Sequence, residues 1–498
     1  MTSVLISASV ILFGNPAASA APLDFTGGIN DEYEYEEIVF LSGEPVKFVG
    51  TFEISERNRG EGKLLTYRFK LSPEDKNIDG LLDRRVTYEI IYTKRDDKGQ
   101  TISRTELNSC REKIYIGDDL YSLSDYQFSK SDVIDNRPAS DFYSGTLKAR
   151  KYYDINKDEG KAVVEISGNT IGYENFWGST ETQLLDYFID VDRQVPADED
   201  EENPRTVSWQ GIVKAEVSDS MNKSLQYSQN AADLSSFTGG YMRITAREMF
   251  SRYEYNLPQI EEGVAEDSKR IRGEVEINRR LLPQVERLVV PKFRDIGGHW
   301  AEEDINKLYS LDVFAGNSLF FVPDVPITRM EFTKAVINAS DIRVSADKNG
   351  KSTQNGSADV RISPFVDVSI QDPDYLYVRE ALNKGIISGV AQGRFMPDEP
   401  LTRAQAITML IRALGMENRA PTPGYCTSFT DDCQIPSWAR DSIYVAREIG
   451  LIQGDAGNRV NPNKEVTRAE ASSMLVRFLN FLQRDLQRNY REDIIFFS

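Results

Sequence analysis

The strongest constraint on this chain is a unit that recurs three times in its C-terminal two-fifths. Each copy opens on Phe-x-Asp, at Phe293-Arg-Asp295, Phe365-Val-Asp367 and Phe429-Thr-Asp431. A stretch of helical period follows, carried by Trp300 to Leu308, Tyr377 to Leu382 and Trp438 to Ala446. An apolar pair then leads to a glycine: Val313-Phe314 to Gly316, Ile386-Ile387 to Gly389, Leu451-Ile452 to Gly454. Next comes a proline (Pro323, Pro397, Pro462), and then Thr-Arg at Thr328-Arg329, Thr402-Arg403 and Thr467-Arg468. A unit that repeats in this way and is too small for a core of its own must pack against its copies.

The end of each unit has a direct physical reading. Thr328, Thr402 and Thr467 stand three residues before Glu331, Gln405 and Glu470, and apolar helical patterns follow. This is a capping box, in which the Thr hydroxyl accepts from the third helical amide and the Glu or Gln accepts from the Thr amide. Each unit therefore predicts helix, glycine-turned loop and capped helix. The arginine falls at the first helical position, where the helix dipole favours an anion over a cation. Its recurrence there points to a task other than helix stability. It either binds an anionic ligand or pairs within the fold, with an acid such as Asp295 or with a loop carbonyl.

The order of these motifs over residues 291–485 resembles the S-layer homology module of bacterial surface proteins. The resemblance implies a pseudo-threefold helical assembly of three repeats, at 291–340, 361–415 and 425–485, that binds a secondary cell-wall polysaccharide, often pyruvylated, in grooves between repeats. It implies that Arg329, Arg403 and Arg468 anchor the ligand. Asp295, Asp367 and Asp431, with Gly316, Gly389 and Gly454, fall on the family's other binding positions. Trp300 and Trp438 either stack on sugar or pack, and core packing is the expectation. The sequence departs from the pattern in several places. Pro373 stands where the other repeats have tryptophan, Gln405 replaces the capping glutamate, Asp312 stands where the others have Gly385 and Gly450, and Val460 replaces a phenylalanine. The third groove is expected to be the best preserved.

Residues 24–258 read as strand after strand, with alternation in Pro45 to Ser55, Arg85 to Thr93, Lys161 to Ser167 and Thr206 to Val217. The fold class expected is thus multidomain: an N-terminal all-β antiparallel sandwich or barrel, then the helical repeats. Residues 196–204, acidic and flanked by prolines, read as a solvated loop. Residues 259–290 read as a linker with one or two helical stretches, and 341–360 as a polar insertion. Residues 1–20, an apolar run followed by Ala18-Ser19-Ala20, predict a cleaved secretory signal, an apolar N-terminal helix or strand being the alternative. No stretch has the roughly 20 apolar residues of a membrane span. Cys426 and Cys433 are compatible with a small disulfide or with two thiols, leaving Cys110 over.

Composition narrows the chemistry. The net charge of −19 argues against nucleic acid as a partner, and it is uneven: −3 over residues 291–498 and −16 over 1–290. His299 is the only histidine, which excludes a histidine-rich metal site and leaves one candidate base for a Ser-His-Asp mechanism. Asp154, Asn156, Asp158 and Glu165 have some of the spacing of a calcium loop, but the glycine is misplaced and the flanks are strand-like, so a polar hairpin turn is the better reading. No cofactor and no catalytic residue is assigned. The function expected is an exported, non-enzymatic cell-wall or S-layer protein, displaying its β-rich part as a structural or adhesive unit and open to self-assembly. The alternatives are a wall-anchored enzyme acting on polysaccharide, through an acidic pair that spacing alone cannot select, and a glycan-capture module.

Overall fold

The computed structural model describes residues 27–30, 34–60, 62–95, 97–195, 205–227, 240–261, 264–316, 318–342, 363–390 and 393–485. Residues 1–20, read above as a signal segment, the acidic block at 196–204 and nearly all of the stretch at 341–360 lie outside them. Thirteen strands, from β1 (Ile29–Asn30) to β13 (Val264–Arg280), follow one another in sequence order, each antiparallel to the last. A further strand, β14 (Gln284–Leu288), pairs with β12 (Tyr241–Glu261). The meander curls into a nearly closed barrel. Its first strands reach β12 and β13 through side chains: Ser251 and Tyr253 donate to the Gly27 carbonyl, and Arg279 pairs with Glu36.

Alternation sorts the two faces. In β4 (Gly62–Pro73), Leu65, Tyr67, Phe69 and Leu71 are buried in the lumen while Arg68 and Lys70 face water. Such a period of two, read strand after strand, is why this half folds as a sheet closed on itself. Residues 259–290, expected to be a linker with helical stretches, are instead the end of β12 and the strands β13 and β14. Val275 and Ile277 oppose Tyr253 and Ser251, and the pairing with β12 outweighs the helix-favouring charged residues between them.

Charges are also buried in the lumen. Arg84 donates through both terminal nitrogens to Glu37, at 2.8 and 2.7 Å, and through Nε to Glu112, which also accepts from Lys151 (3.0 Å) and Tyr153. Burial alone would push the Glu112 carboxyl up. The two cations and the phenol reverse this and bring it down to about 2.

Among the described residues the repeats contribute six α-helices: α1 (Glu302–Ser310), α2 (Arg329–Ala339), α3 (Tyr375–Asn383), α4 (Arg403–Leu414), α5 (Arg440–Glu448) and α6 (Arg468–Asn480). The segments entering α2, α4 and α6 meet in a closed cycle of backbone hydrogen bonds. The Ile327 amide donates to Val466, Val466 to Leu401 and Leu401 to Ile327, at 2.9, 2.9 and 3.0 Å. That cycle marks the pseudo-threefold axis.

The barrel sits against the C-terminal ends of these helices. The Ala139 amide donates to the Ala413 carbonyl (2.9 Å), Gln483 to Lys223 and Asn175 to Leu482. Ala139, Tyr173 and Trp177 of the barrel share one apolar core with the helices. The capped N-terminus of α4 lies roughly 15 Å along the helix from this contact, whereas Arg412 is beside it.

Candidate functional site

All three capping boxes form, with Thr328, Thr402 and Thr467 accepting from the amides of Glu331, Gln405 and Glu470. The other N-terminal amides have partners too. Those of Arg329 and Met330 donate to Glu399 and Pro397, those of Arg403 and Ala404 to Lys464 and Pro462, and those of Arg468 and Ala469 to Val325 and Pro323. Each capped helix is thus tied to the loop of the next repeat, and its backbone has no donor left for an anion. The helix terminus therefore does not supply the anion site, and the arginine side chain must be judged alone.

The three aspartates have one shared task. Asp295 accepts from the amides of Phe321 and Val322, Asp367 from Phe395 and Met396, Asp431 from Val460 and Asn461. Val322, Met396 and Asn461 have φ of 58°, 59° and 52°, left-handed values that non-glycine residues avoid. The carboxylate clasps a strained loop in the shape that receives the preceding repeat's helix. Burial pushes the Asp295 and Asp367 carboxyls up, but the loop amides outweigh it and hold both low. Of the glycines, Gly389 lines a groove, and at Gly454 a side chain would collide with Asn458. The left-handed turn that ends the first helix falls at Asp312, Gly385 and Gly450, with φ of 56°, 70° and 72°.

Each arginine reaches into the next repeat. Arg329 donates to the Ser388 carbonyl (2.8 Å) and lies over the Phe395 ring, 5.1 Å from its centre. Arg403 donates to Gln453 (3.4 Å). Arg468 lies over Phe321 and pairs with Glu331 at 2.6 Å. What each arginine meets there is the next repeat's capping residue. Arg468 meets Glu331 and Arg403 feels the charge of Glu470, whereas Arg329 faces the uncharged Gln405. Among the described residues Arg329 has no carboxylate partner, and its charged neighbour is another cation, Arg412. Burial first, then Arg412, bring the Arg329 guanidinium down to about 10.

A cavity of about 290 Å³ lies between Arg329, the Ser388-Gly389-Val390 loop, the α4 face bearing Gln405, Thr408 and Arg412, and Trp438. Arg329 Nε and Thr408 Oγ1 are buried there without a hydrogen-bond partner. Arg468 Nε also lacks one, but Glu331 meets that arginine's charge. Trp438, expected in the core, is 51% exposed and lines the cavity, and Trp300 is 64% exposed. Alanines at the next position, Ala301 and Ala439, take the buried places instead. Sequence reading missed Arg412 and Thr408. Helical spacing from Gln405 places all three on one face, and the Gln405 departure was the available signal.

The remaining candidates have structural surroundings. His299 accepts from the Ala301 amide and approaches Asp324 at 3.5 Å. Cys426 and Cys433 are both exposed free thiols. Asn156 and Asp158 lie in the hairpin turn after β8 (Asp141–Ile155), where Asn156 accepts from the Leu120 amide, and Glu165 pairs with Arg150. Among the described residues no group of three acidic, His or Cys side chains is placed to hold a metal ion.

The S-layer homology domain family matches residues 292–333, 364–407 and 428–472. The chain is 34% identical over 128 residues, 26% of its length, to a cell surface protein of Thermoanaerobacter kivui. It is 26% identical over 194 residues, 38% of its length, to a surface-layer 125 kDa protein of Lysinibacillus sphaericus. An amylopullulanase of Thermoanaerobacterium thermosulfurigenes is 28% identical over 185 residues, 37% of this chain. These matches span 17%, 15% and 9% of the relatives' own lengths.

Proposed function

The three C-terminal repeats are S-layer homology domains, and on that premise we propose that this cell-surface protein is held at the wall by an anionic polysaccharide seated between its first and second repeats. Arg329 and Arg412 take the acidic group of a sugar, and Trp438 offers an apolar face to the ring. The observation that carries this reading is Gln405. It leaves Arg329 buried without a counter-charge, and a buried cation without a partner is costly until an anion arrives. Arg468 is already paired with Glu331 and Arg403 has the charge of Glu470 nearby, so the first groove, rather than the third, is the principal site. The barrel, attached at the C-terminal ends of the capped helices, is displayed as a structural or adhesive unit.

Co-sedimentation of the full-length protein with cell-wall sacculi tests this. The protein should pellet with native sacculi and stay soluble with sacculi stripped of secondary polymer. R329A should weaken retention at least tenfold, and Q405E, which installs the carboxylate of the other two grooves, should do the same with circular dichroism unchanged. Equal retention on both kinds of sacculi would overturn the anchoring. Full retention of Q405E, or a loss in R468A as large as in R329A, would overturn the choice of groove.

A further inference from the structure

The barrel lumen changes character along its length. Towards the far end apolar side chains surround the compensated Arg84–Glu112–Lys151 ion cluster. At the end facing the helices the inward positions of β7 (Asp119–Asn136) pass from Tyr126 and Phe128 to Lys130 and Asp132, and those of β10 (Gly178–Val195) from Tyr187 and Leu185 to Gln183 and Glu181. A cavity of about 270 Å³ is lined by Lys130, Asp132 and Glu181 of these, and also by Lys63, Tyr92, Asp141, Tyr143, Glu174 and Asp219. Its volume is close to that of the smaller ligand pockets of proteins.

Its cations are already committed. Lys130 pairs with Asp132 at 2.6 Å, Lys63 with Glu56 at 3.3 Å, and Arg247 with Asp219 at 2.6 Å. Asp141, Glu174 and Glu181 form no ion pair among the described residues, and burial pushes all three carboxyls up. Glu181 accepts from Gln183 Nε2 (2.9 Å) and from Tyr143 (3.4 Å). Holding that bond leaves Gln183 Oε1 without a donor although Gln183 is wholly buried, and the hydroxyl of its cross-strand neighbour Thr170, 1% exposed, also has no partner. Gln183 and Thr170 stand beside the cavity, whose own lining sets two lysines against five carboxylates, so the site has a surplus of negative charge. A ligand that brings only donors and positive charge complements it, and an ammonium group has three donors and no acceptor. A divalent metal fits less well, since among the described residues no three ligating side chains converge.

We propose that this end of the barrel lumen binds a small organic ammonium compound, its cationic group seated on Glu181 and Glu174. The site is separate from the repeat groove and does not depend on it. Calorimetric titration of the full chain with D-glucosamine at pH 6.5, beside D-glucose and N-acetyl-D-glucosamine, tests the charge requirement on one sugar frame. One glucosamine should bind per chain, with both neutral sugars at least tenfold weaker. E181Q should weaken glucosamine tenfold or more, E174Q at the rim should weaken it less, and R329A should leave it unchanged. Absence of glucosamine binding, equal binding of the neutral sugars, or undiminished binding by both E181Q and E174Q would overturn the proposal.

Discussion

At the scale of single residues, the same position in three repeats does three different things. Arg329, Arg403 and Arg468 occupy equivalent places, yet the neighbour across the repeat boundary decides whether the guanidinium is neutralised or free to meet a ligand. The left-handed residues show the same dependence on surroundings. Asn461 tolerates its φ better than Val322, whose β-branched side chain clashes there for no packing return, being 47% exposed. V322G should relieve about 1–2 kcal/mol of backbone strain. The extra freedom of glycine in the unfolded chain returns about 0.4–1 kcal/mol of that. The net expectation is a Tm higher by about 1–2 °C in a thermal melt, with the Asp295 clasp intact.

At the scale of elements, hydrogen-bond accounting explains why the helices need one another. The first amides of each capped helix are satisfied by the following repeat's loop, so one repeat cut from the ring would leave them without partners. In the barrel the buried ion network ties β2 (Glu34–Val39), β5 (Gly80–Arg95), β6 (Gln100–Ile116) and β8 together through Glu37, Arg84, Glu112 and Lys151. Its pH dependence has a definite sign. The Glu112 carboxyl is lowered from 4.5 to about 2 on folding, so its contribution is fully present above about pH 5 and is lost as pH falls towards 2. E112Q should cost about 3–5 kcal/mol in urea unfolding at pH 7. Because Gln does not titrate, the variant should also lose much less stability than the parent between pH 5 and 2.

At the scale of the whole molecule, the barrel and the ring of repeats meet through a shared core, with Trp177 buried at their junction. Removing that side chain should cost about 3–5 kcal/mol. In calorimetry the parent should melt in one cooperative transition and W177A in two. The charge is divided along the sequence, with residues 291–498 near neutral and the excess acid in residues 1–290.

Much of this organisation was legible in the chain. Capping boxes, the aspartate and glycine punctuation and the alternation of the strands act over a few residues, so local order was enough to reveal the repeats, their helices and an all-β first half. The segment at 259–290 was misread because its charged residues favour helix, and only the edge of β12 made it strand. The tryptophans were misplaced because burial at the start of a helix passed to the neighbouring alanines. Which arginine stays uncompensated, and which end of the lumen is polar, depend on side chains dozens to more than a hundred residues apart in sequence. Electrostatic compensation acts through space, so only the folded molecule could decide them.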